Sequence, residues 1–302
     1  MASQKDVKDR ISSVKNIQKI TRAMEMVAAA RLRRAEERIE HLRPYAKAIR
    51  RMTRRTVEAV DKIPSLPLLE AHDSEKRVGL LLVTGDRGLA GAFNSQIVRA
   101  GSRRALELRD EDKEVVWYAS GRKGVSSLTF RGEDVAAQWQ GFTDRPAFEN
   151  ARDIAGDIAS QYIDGEVDRV EMTYNGYVSP LTQDVTTDVL LPLAAVEQLL
   201  EEDDEGSESE ERDSGHKTLW IYEPDPEDIL QRLVPDYIEI SIYRALLEST
   251  ASEHGARMTA MRAAQENAGE MIDDLTLEMN RQRQAEITAE IMEVVAGAEG
   301  LS

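Results

Sequence analysis

Apolar residues spaced by alternating steps of four and three run along two long, almost proline-free ends, and this pattern constrains the fold more than any other feature. From the N-terminus the apolar positions are Val7, Ile11, Val14, Ile17, Ile20, Met24 and Val27. After a shift of one residue come Ala28, Leu32, Ala35, Ile39, Leu42, Ala46 and Ile49. Such steps draw a seam of period 3.5 down one helix face, the requirement for supercoiled helices. Pro44 is the one proline before Pro64 and predicts a kink or break near Leu42. The other end repeats the pattern within the 67 residues after Pro235: Ile242, Leu246, Ser249, then Met261, Ala264, Ala268, Met271, Leu275, and finally Ile287, Ile291, Val294, Ala298. A helix from about 236 to 299 would be on the order of 90 Å long at 1.5 Å per residue. That is wider than a globule of 302 residues, so the helix must project, and it needs a partner. Alanine at Ala28, Ala35, Ala46, Ala264 and Ala268 suits close antiparallel approach of the two ends. Pairing between two copies of the chain stays open.

Charge favours pairing within one chain. The total is −17, yet residues 1–60 carry 16 Lys/Arg against 7 Asp/Glu, a net of +9, and the remainder carries −26. A basic start can bind nucleic acid or an anionic surface, but here it complements the acidic partner end, so no nucleic acid is expected. Nine acids between Glu201 and Asp213 stand against Arg212 alone, which predicts a solvated loop over 201–215. With no cysteine there is no disulfide scaffold, thiolate zinc site or thiol nucleophile. The four histidines, His41, His72, His216 and His254, have no ligand spacing. No apolar stretch approaches the roughly 18–20 residues of a membrane span.

The middle reads differently. Val78–Thr84 is a short apolar run ending at Gly85, a buried strand; Phe93–Leu108 has helical spacing; Glu114–Ala119 is a second strand closed by Gly121. Arg145–Tyr162 reads as a helix, Val167–Tyr174 as a third strand and Asp184–Leu191 as a fourth. Alternating strands and helices predict a mostly parallel sheet in three layers, over about 76–220. The loop Gly85-Asp-Arg-Gly-Leu-Ala-Gly-Ala-Phe-Asn94 lies between strand and helix, where a phosphate can be cradled. Its spacing is neither GxGxxG nor GxxxxGK[ST], so a close-packing turn and a phosphate site are both open readings. No constellation of acid, base and nucleophile stands out.

Five segments are specific. Ile11-Ser-Ser-Val-Lys-Asn-Ile-Gln-Lys-Ile-Thr-Arg-Ala-Met-Glu-Met-Val-Ala-Ala-Ala30 and Asn280-Arg-Gln-Arg-Gln-Ala-Glu-Ile-Thr-Ala-Glu-Ile-Met-Glu-Val-Val-Ala-Gly-Ala298 resemble the two ends of the ATP synthase γ subunit family. Gly85–Asn94, Gly121-Arg-Lys-Gly124 and Tyr222-Glu-Pro-Asp-Pro226 resemble the same family in the same order, so the likeness covers the whole chain. The likeness departs at Ala90, where the resemblance would imply Cys in many family members.

The resemblance implies a long antiparallel coiled coil of N-terminal (1–60) and C-terminal (227–302) helices plus a Rossmann-like three-layer α/β domain (76–220). It implies a rotor shaft inside a ring of three α and three β subunits, one copy per complex, with ε and the c ring at its base. Proton flow would turn the shaft and drive ATP synthesis at β; the chain itself would be non-catalytic, with no cofactor and no metal. Arg22, Met24 and Glu25 would face the moving lobe of β, and Arg283, Gln284, Thr288 and Glu290 would transmit torque to the ring. Ile287, Ile291, Val294 and Val295 would turn in an apolar bearing, and Tyr222 and Glu223 would form the foot on the c ring and ε. The start Met-Ala-Ser-Gln-Lys-Asp-Val-Lys-Asp-Arg is neither a signal peptide nor an Arg-rich leader. That suits a bacterial form, peripheral on the cytoplasmic side of the cell membrane with no direct insertion. Two other readings remain: a coiled-coil adaptor or chaperone, and a phosphate-binding α/β module.

Overall fold

The computed structural model describes residues 4–59, 66–72, 74–180, 182–193 and 225–299. In chain order these form α1 (Gln4–Ala59), β1 (Arg77–Val83), α2 (Phe93–Asp110), β2 (Glu114–Ser120) and α3 (Arg122–Phe130). They continue with β3 (Val135–Trp139), α4 (Phe148–Ile163), β4 (Arg169–Tyr177), β5 (Gln183–Leu191) and α5 (Pro226–Glu299). Two units result: Met1–Ala30 with Arg257–Ser302, and Arg31–Ala256. The acidic run 201–215 and the foot residues Tyr222 and Glu223 lie outside the described residues.

Neither interior proline breaks its helix. α1 continues unbroken through Pro44, and α5 starts at Pro226 and contains Pro235. Pro44 and Glu40 are both exposed, as are Pro235 and Gln231. The carbonyl that each ring deprives of its donor sits four residues back, on the wet face, where water can satisfy it. Pro226 at the first helical position loses no bond.

In the larger unit the sheet order is β3-β2-β1-β4-β5. The first four strands are parallel, and β5 returns antiparallel beside β4. Alternation along β1 splits its side chains between two cores. Leu80 and Leu82 pack with Phe93, Ile97 and Leu108 of α2 and Leu128 of α3. Leu81 and Val83 pack with Ile154 and Ile158 of α4 and Val234, Ile238 and Ile242 of α5. This is the expected three-layer arrangement, with α5 as one of its layers. Two elements escape the sequence reading, α3 and β3. The first has nine residues, and the second is a half-buried edge strand, Val-Ala-Ala-Gln-Trp, too short and too small-sided to register as a periodic run.

Asp168 ties the start of the sheet together. Its carboxylate accepts the amides of Lys76 and Arg77, both at 2.8 Å, and lies 3.1 Å from His72 Nδ1, whose ring stacks on Tyr162. Burial opposes ionisation here, but the Arg77 amide, the His72 ring and the Lys76 amide outweigh it and hold the carboxyl below its usual value. A depressed carboxyl contributes stability that is present above its unfolded pKa and lost as pH falls through the folded one. Urea melts at descending pH should therefore show stability falling below about pH 4. Asp168→Asn should flatten that fall, and an unchanged slope would show that other carboxylates dominate.

Candidate functional site

Three sets of residues bear on function: the seam of α1, the exposed end of α5, and the crevice at the carboxyl ends of the strands. In the smaller unit, Arg262 Nε donates to Glu25 Oε1 at 2.9 Å. A side chain added at Gly269 would meet Gln18 Nε2 at 3.3 Å. The two contacts belong to one antiparallel register of α1 against α5. At that register Gln4, the first described residue of α1, lies opposite Arg283. Residues 283–294 are all exposed.

Met24, Ala29, Arg31, Glu36, Arg38, Ala48 and Arg55 are half-buried on the flanks of α1, and along its centre the buried or half-buried positions are Val7, Ile11, Val14, Gln18, Thr21, Glu25, Ala28, Leu32, Ala35, Ile39, Leu42, Ala46, Ile49, Thr53 and Thr56. They step by four and three without interruption, so the expected shift of one residue does not occur. The seam keeps its phase by passing through Gln18, Thr21 and Glu25, which a count of apolar residues skips. Ile17, Ile20 and Val27, expected on the seam, are 53%, 59% and 53% exposed. With half-buried Met24 they draw a second apolar stripe beside it. On α5 the same correction applies once: Met271 is exposed, and its neighbour Ile272 takes the inner position. Thr21 is buried, and its hydroxyl donates to the Gln18 carbonyl of its own helix at 3.1 Å. Thr21→Val keeps the shape and adds apolar burial, so it should stabilise the chain by about 1 kcal/mol in urea melts. A net loss would mean that the hydroxyl is required.

Of the expected contact residues, Arg22 is exposed, Met24 is half-buried, and Glu25 is half-buried and paired with Arg262. Arg283, Gln284, Thr288 and Glu290 are exposed, with Thr288 Oγ1 donating to the Gln284 carbonyl at 2.8 Å. The structure does not gather these into one site. The band at 22–25 and the band beginning at Arg283 are separated by about 27 Å of helix at 1.5 Å per residue. Ile287, Ile291 and Val294 are 48%, 58% and 72% exposed; Val295 lies on α5, with its side chain outside the described set.

In the larger unit the crevice beyond the parallel strands, where doubly wound sheets hold ligands, is filled by the chain itself. Asp86 accepts the amides of Arg122 (3.0 Å), Gly141 (2.9 Å) and Thr143 (3.2 Å) and the Thr143 hydroxyl (3.0 Å). Asn94 Oδ1 accepts the Gly85 amide at 2.9 Å. From α5, Ser249 donates to the Val83 carbonyl (3.3 Å), Thr250 to Thr143 (2.8 Å), and Ser252 to Asn175 and Gly176 (3.2 Å each). The buried Glu253 carboxylate lies 2.8 Å from where a Gly85 Cβ would be. Within the turn the Gly85 amide goes to Asn94 and the Asp86 amide to Thr143 Oγ1, and the Glu253 carboxylate stands over Gly85. These contacts pack the start of Gly85–Gly91 closely, and the crevice grips α5. Sequence reasoning missed this grip; the run Ser249-Thr-Ala-Ser-Glu253, small and hydroxylated within a helix, was the available sign.

Among the described residues no helix is long and apolar enough to cross a membrane, and no cluster of His, Asp and Glu is arranged to hold a metal ion.

Comparison with known proteins returns one family. The family model described as ATP synthase matches residues 3–301. The ATP synthase gamma chain of Moorella thermoacetica is 42% identical over 301 residues, covering 100% of both chains. That of Rubrobacter xylanophilus is 40% identical over 303 residues, covering 100% of this chain and 99% of the relative. Among solved structures, a chain of the Tetrahymena thermophila mitochondrial ATP synthase central stalk and c ring superposes with a TM-score of 0.60. It is 27% identical, with 81% of this chain and 99% of that one covered. A chain of the Euglena gracilis mitochondrial ATP synthase, at TM-score 0.65 and 18% identity over 99% and 94%, shares the fold.

Proposed function

The chain belongs to the ATP synthase gamma-chain family, and we propose, on that premise, how its geometry performs the work of the central rotor shaft. The observation that carries the reading is the single unbroken seam, locked in one antiparallel register. A two-helix element transmits rotation only if its strands do not slip past each other. The ion pair Glu25–Arg262 and the close approach of Gln18 to Gly269 oppose slippage in a way that a uniformly apolar seam would not.

The finer assignments follow from which surfaces are left uncovered. The stripe Ile17, Ile20, Met24 and Val27, with Arg22 beside it, faces β, and the exposed band Arg283, Gln284, Thr288 and Glu290 meets the α₃β₃ ring higher up. Ile287, Ile291, Val294 and Val295 turn in the ring's sleeve, where apolar contact lacks the directional bonds that would hold one angle. Tyr222 and Glu223 stand on the c ring and ε. The chain makes and breaks no bond itself. An asymmetric shaft presents a different face to each β subunit, and only that difference in affinity can shift their conformational equilibrium. The driving ion is the proton, and the chain is peripheral, on the cytoplasmic side, in one copy per complex.

Mass spectrometry of the complex drawn from membranes with this chain should return α, β, ε and c with one copy of it; absence of α and β would sink the reading. Because the chain has no cysteine, a finer test is clean. Ile20→Cys should cross-link to β in the assembled complex, and Gln18→Cys, on the inner seam, should not. Equal cross-linking at both positions would refute the assignment of the outer stripe.

A further inference from the structure

In the larger unit, adjoining the crevice at Thr250, a cavity of about 450 Å³ is lined by Arg31, Arg34 and Arg38 of α1, Arg145 ahead of α4, and His254 of α5, around one carboxylate, Asp144. Its size lies within the roughly 300–1,000 Å³ of small-molecule sites. Asp144 is committed. Both its oxygens accept from Nη1 of Arg31, with His254 Nε2 at 3.7 Å and Arg87 at 4.0 Å. Arg34, Arg38 and Arg145 form no ion pair among the described residues. Glu37 lines an adjoining groove together with Arg34 and Arg38. Three arginines without an ion pair among the described residues, Arg34 and Arg145 exposed and Arg38 half-buried, therefore line a space that reaches down to His254, only 1% exposed.

We propose that this cavity binds a phosphate-type oxyanion, free or as the polyphosphate end of a nucleotide. Guanidinium forks match phosphate oxygens bidentately, and clustered like charges repel until an anion neutralises them. The spacing Arg31, Arg34, Arg38 places all three on one helix face. Arg145 faces them from the neighbouring loop, so an anion here clasps α1 to the α/β layer. The cavity's small volume favours a compact polyanion over an acidic peptide. The proposal stands on residues 31–256 alone and does not depend on the rotor reading.

The test is isothermal titration of the full chain with pyrophosphate, against sodium chloride at matched ionic strength. The same chain is titrated with inorganic phosphate, ATP and a glutamate-rich peptide. The pair Arg34→Gln with Arg38→Gln, and separately Arg145→Gln, should weaken pyrophosphate binding at least about tenfold. Arg10→Gln with Lys19→Gln, elsewhere on α1, should leave it unchanged. Circular dichroism checks that each variant is folded. Pyrophosphate binding as tightly as ATP identifies a free-phosphate site, and ATP binding tenfold tighter identifies a nucleotide. Equal pyrophosphate affinity in cavity and control variants, no heat beyond matched chloride, or binding of the peptide alone would overturn the proposal.

Discussion

Gly121→Ala should unfold the 31–256 unit, at a cost of about 4 kcal/mol or more. Gly121 has φ of +95°, a conformation that L residues rarely adopt; strain of this kind alone costs of order 1–3 kcal/mol. An added Cβ would lie 2.1 Å from the Thr84 carbonyl oxygen and 2.6 Å from its carbon. That carbonyl cannot step aside. The Thr84 amide donates to the Ser120 carbonyl at 2.8 Å, and its hydroxyl donates to Ser120 and accepts the Gly124 amide. Gly132→Ala separates strain from clash, because Gly132 has φ of +80° with nothing within 4 Å of the built Cβ. It should cost about 1 kcal/mol, conformational strain alone. Urea denaturation of both variants measures the difference, and equal losses would show that the clash at Thr84 relaxes.

The sequence made the two long helices legible because their information is local and repetitive. A period-3.5 seam survives a few misread positions. What it hid was phase. Ile17 and Ile20 look like seam residues because they are apolar, yet they are exposed, while Gln18 and Thr21 take the inner face. Hydrophobicity finds a buried face only where the whole apolar surface belongs to one interface, and α1 carries two apolar stripes side by side. The strands of the parallel sheet were equally legible, being runs of Val and Leu buried on both faces. The antiparallel sense of β5, the edge strand β3 and the grip on α5 were not. Each depends on partners distant in sequence, such as Thr250 on the Thr143 carbonyl. Of the candidate site, the contact residues were nameable only through resemblance to a family, since exposed polar residues on a helix carry no signal of their own.

The crevice explains how a nucleotide-type fold can hold a helix at the place where such folds bind ligands. The carboxyl ends of parallel strands offer unpaired amides and a gap at the point where the strand order reverses. Here Asp86 takes the amides, and Ser249, Thr250 and Ser252 take the carbonyls. A helix anchored by side-chain hydrogen bonds to two strands and a loop resists rotation about its own axis, as apolar packing alone would not. The fold that elsewhere positions a cofactor is used to hold a shaft, so torque applied to α5 is delivered to the whole sheet.

Ending the chain after Gln282 should separate the stability of this protein from its work. Residues 283–294 are exposed throughout, so in the isolated chain they bury almost nothing, and their removal should move the melting temperature by no more than about 2 °C. In the assembled complex the same residues include the proposed torque band and the proposed bearing. There the loss should lower ATP synthesis about tenfold, the equivalent of ~1.4 kcal/mol in coupling, while the complex still forms through the stripe at Ile17–Val27 and through the α/β unit. Reconstitution with the truncated chain, followed by parallel assays of ATP synthesis and ATP hydrolysis, distinguishes the cases. Retained synthesis would remove the end of α5 from the torque path. Loss of assembly itself would make these residues structural, against their exposure in the chain alone.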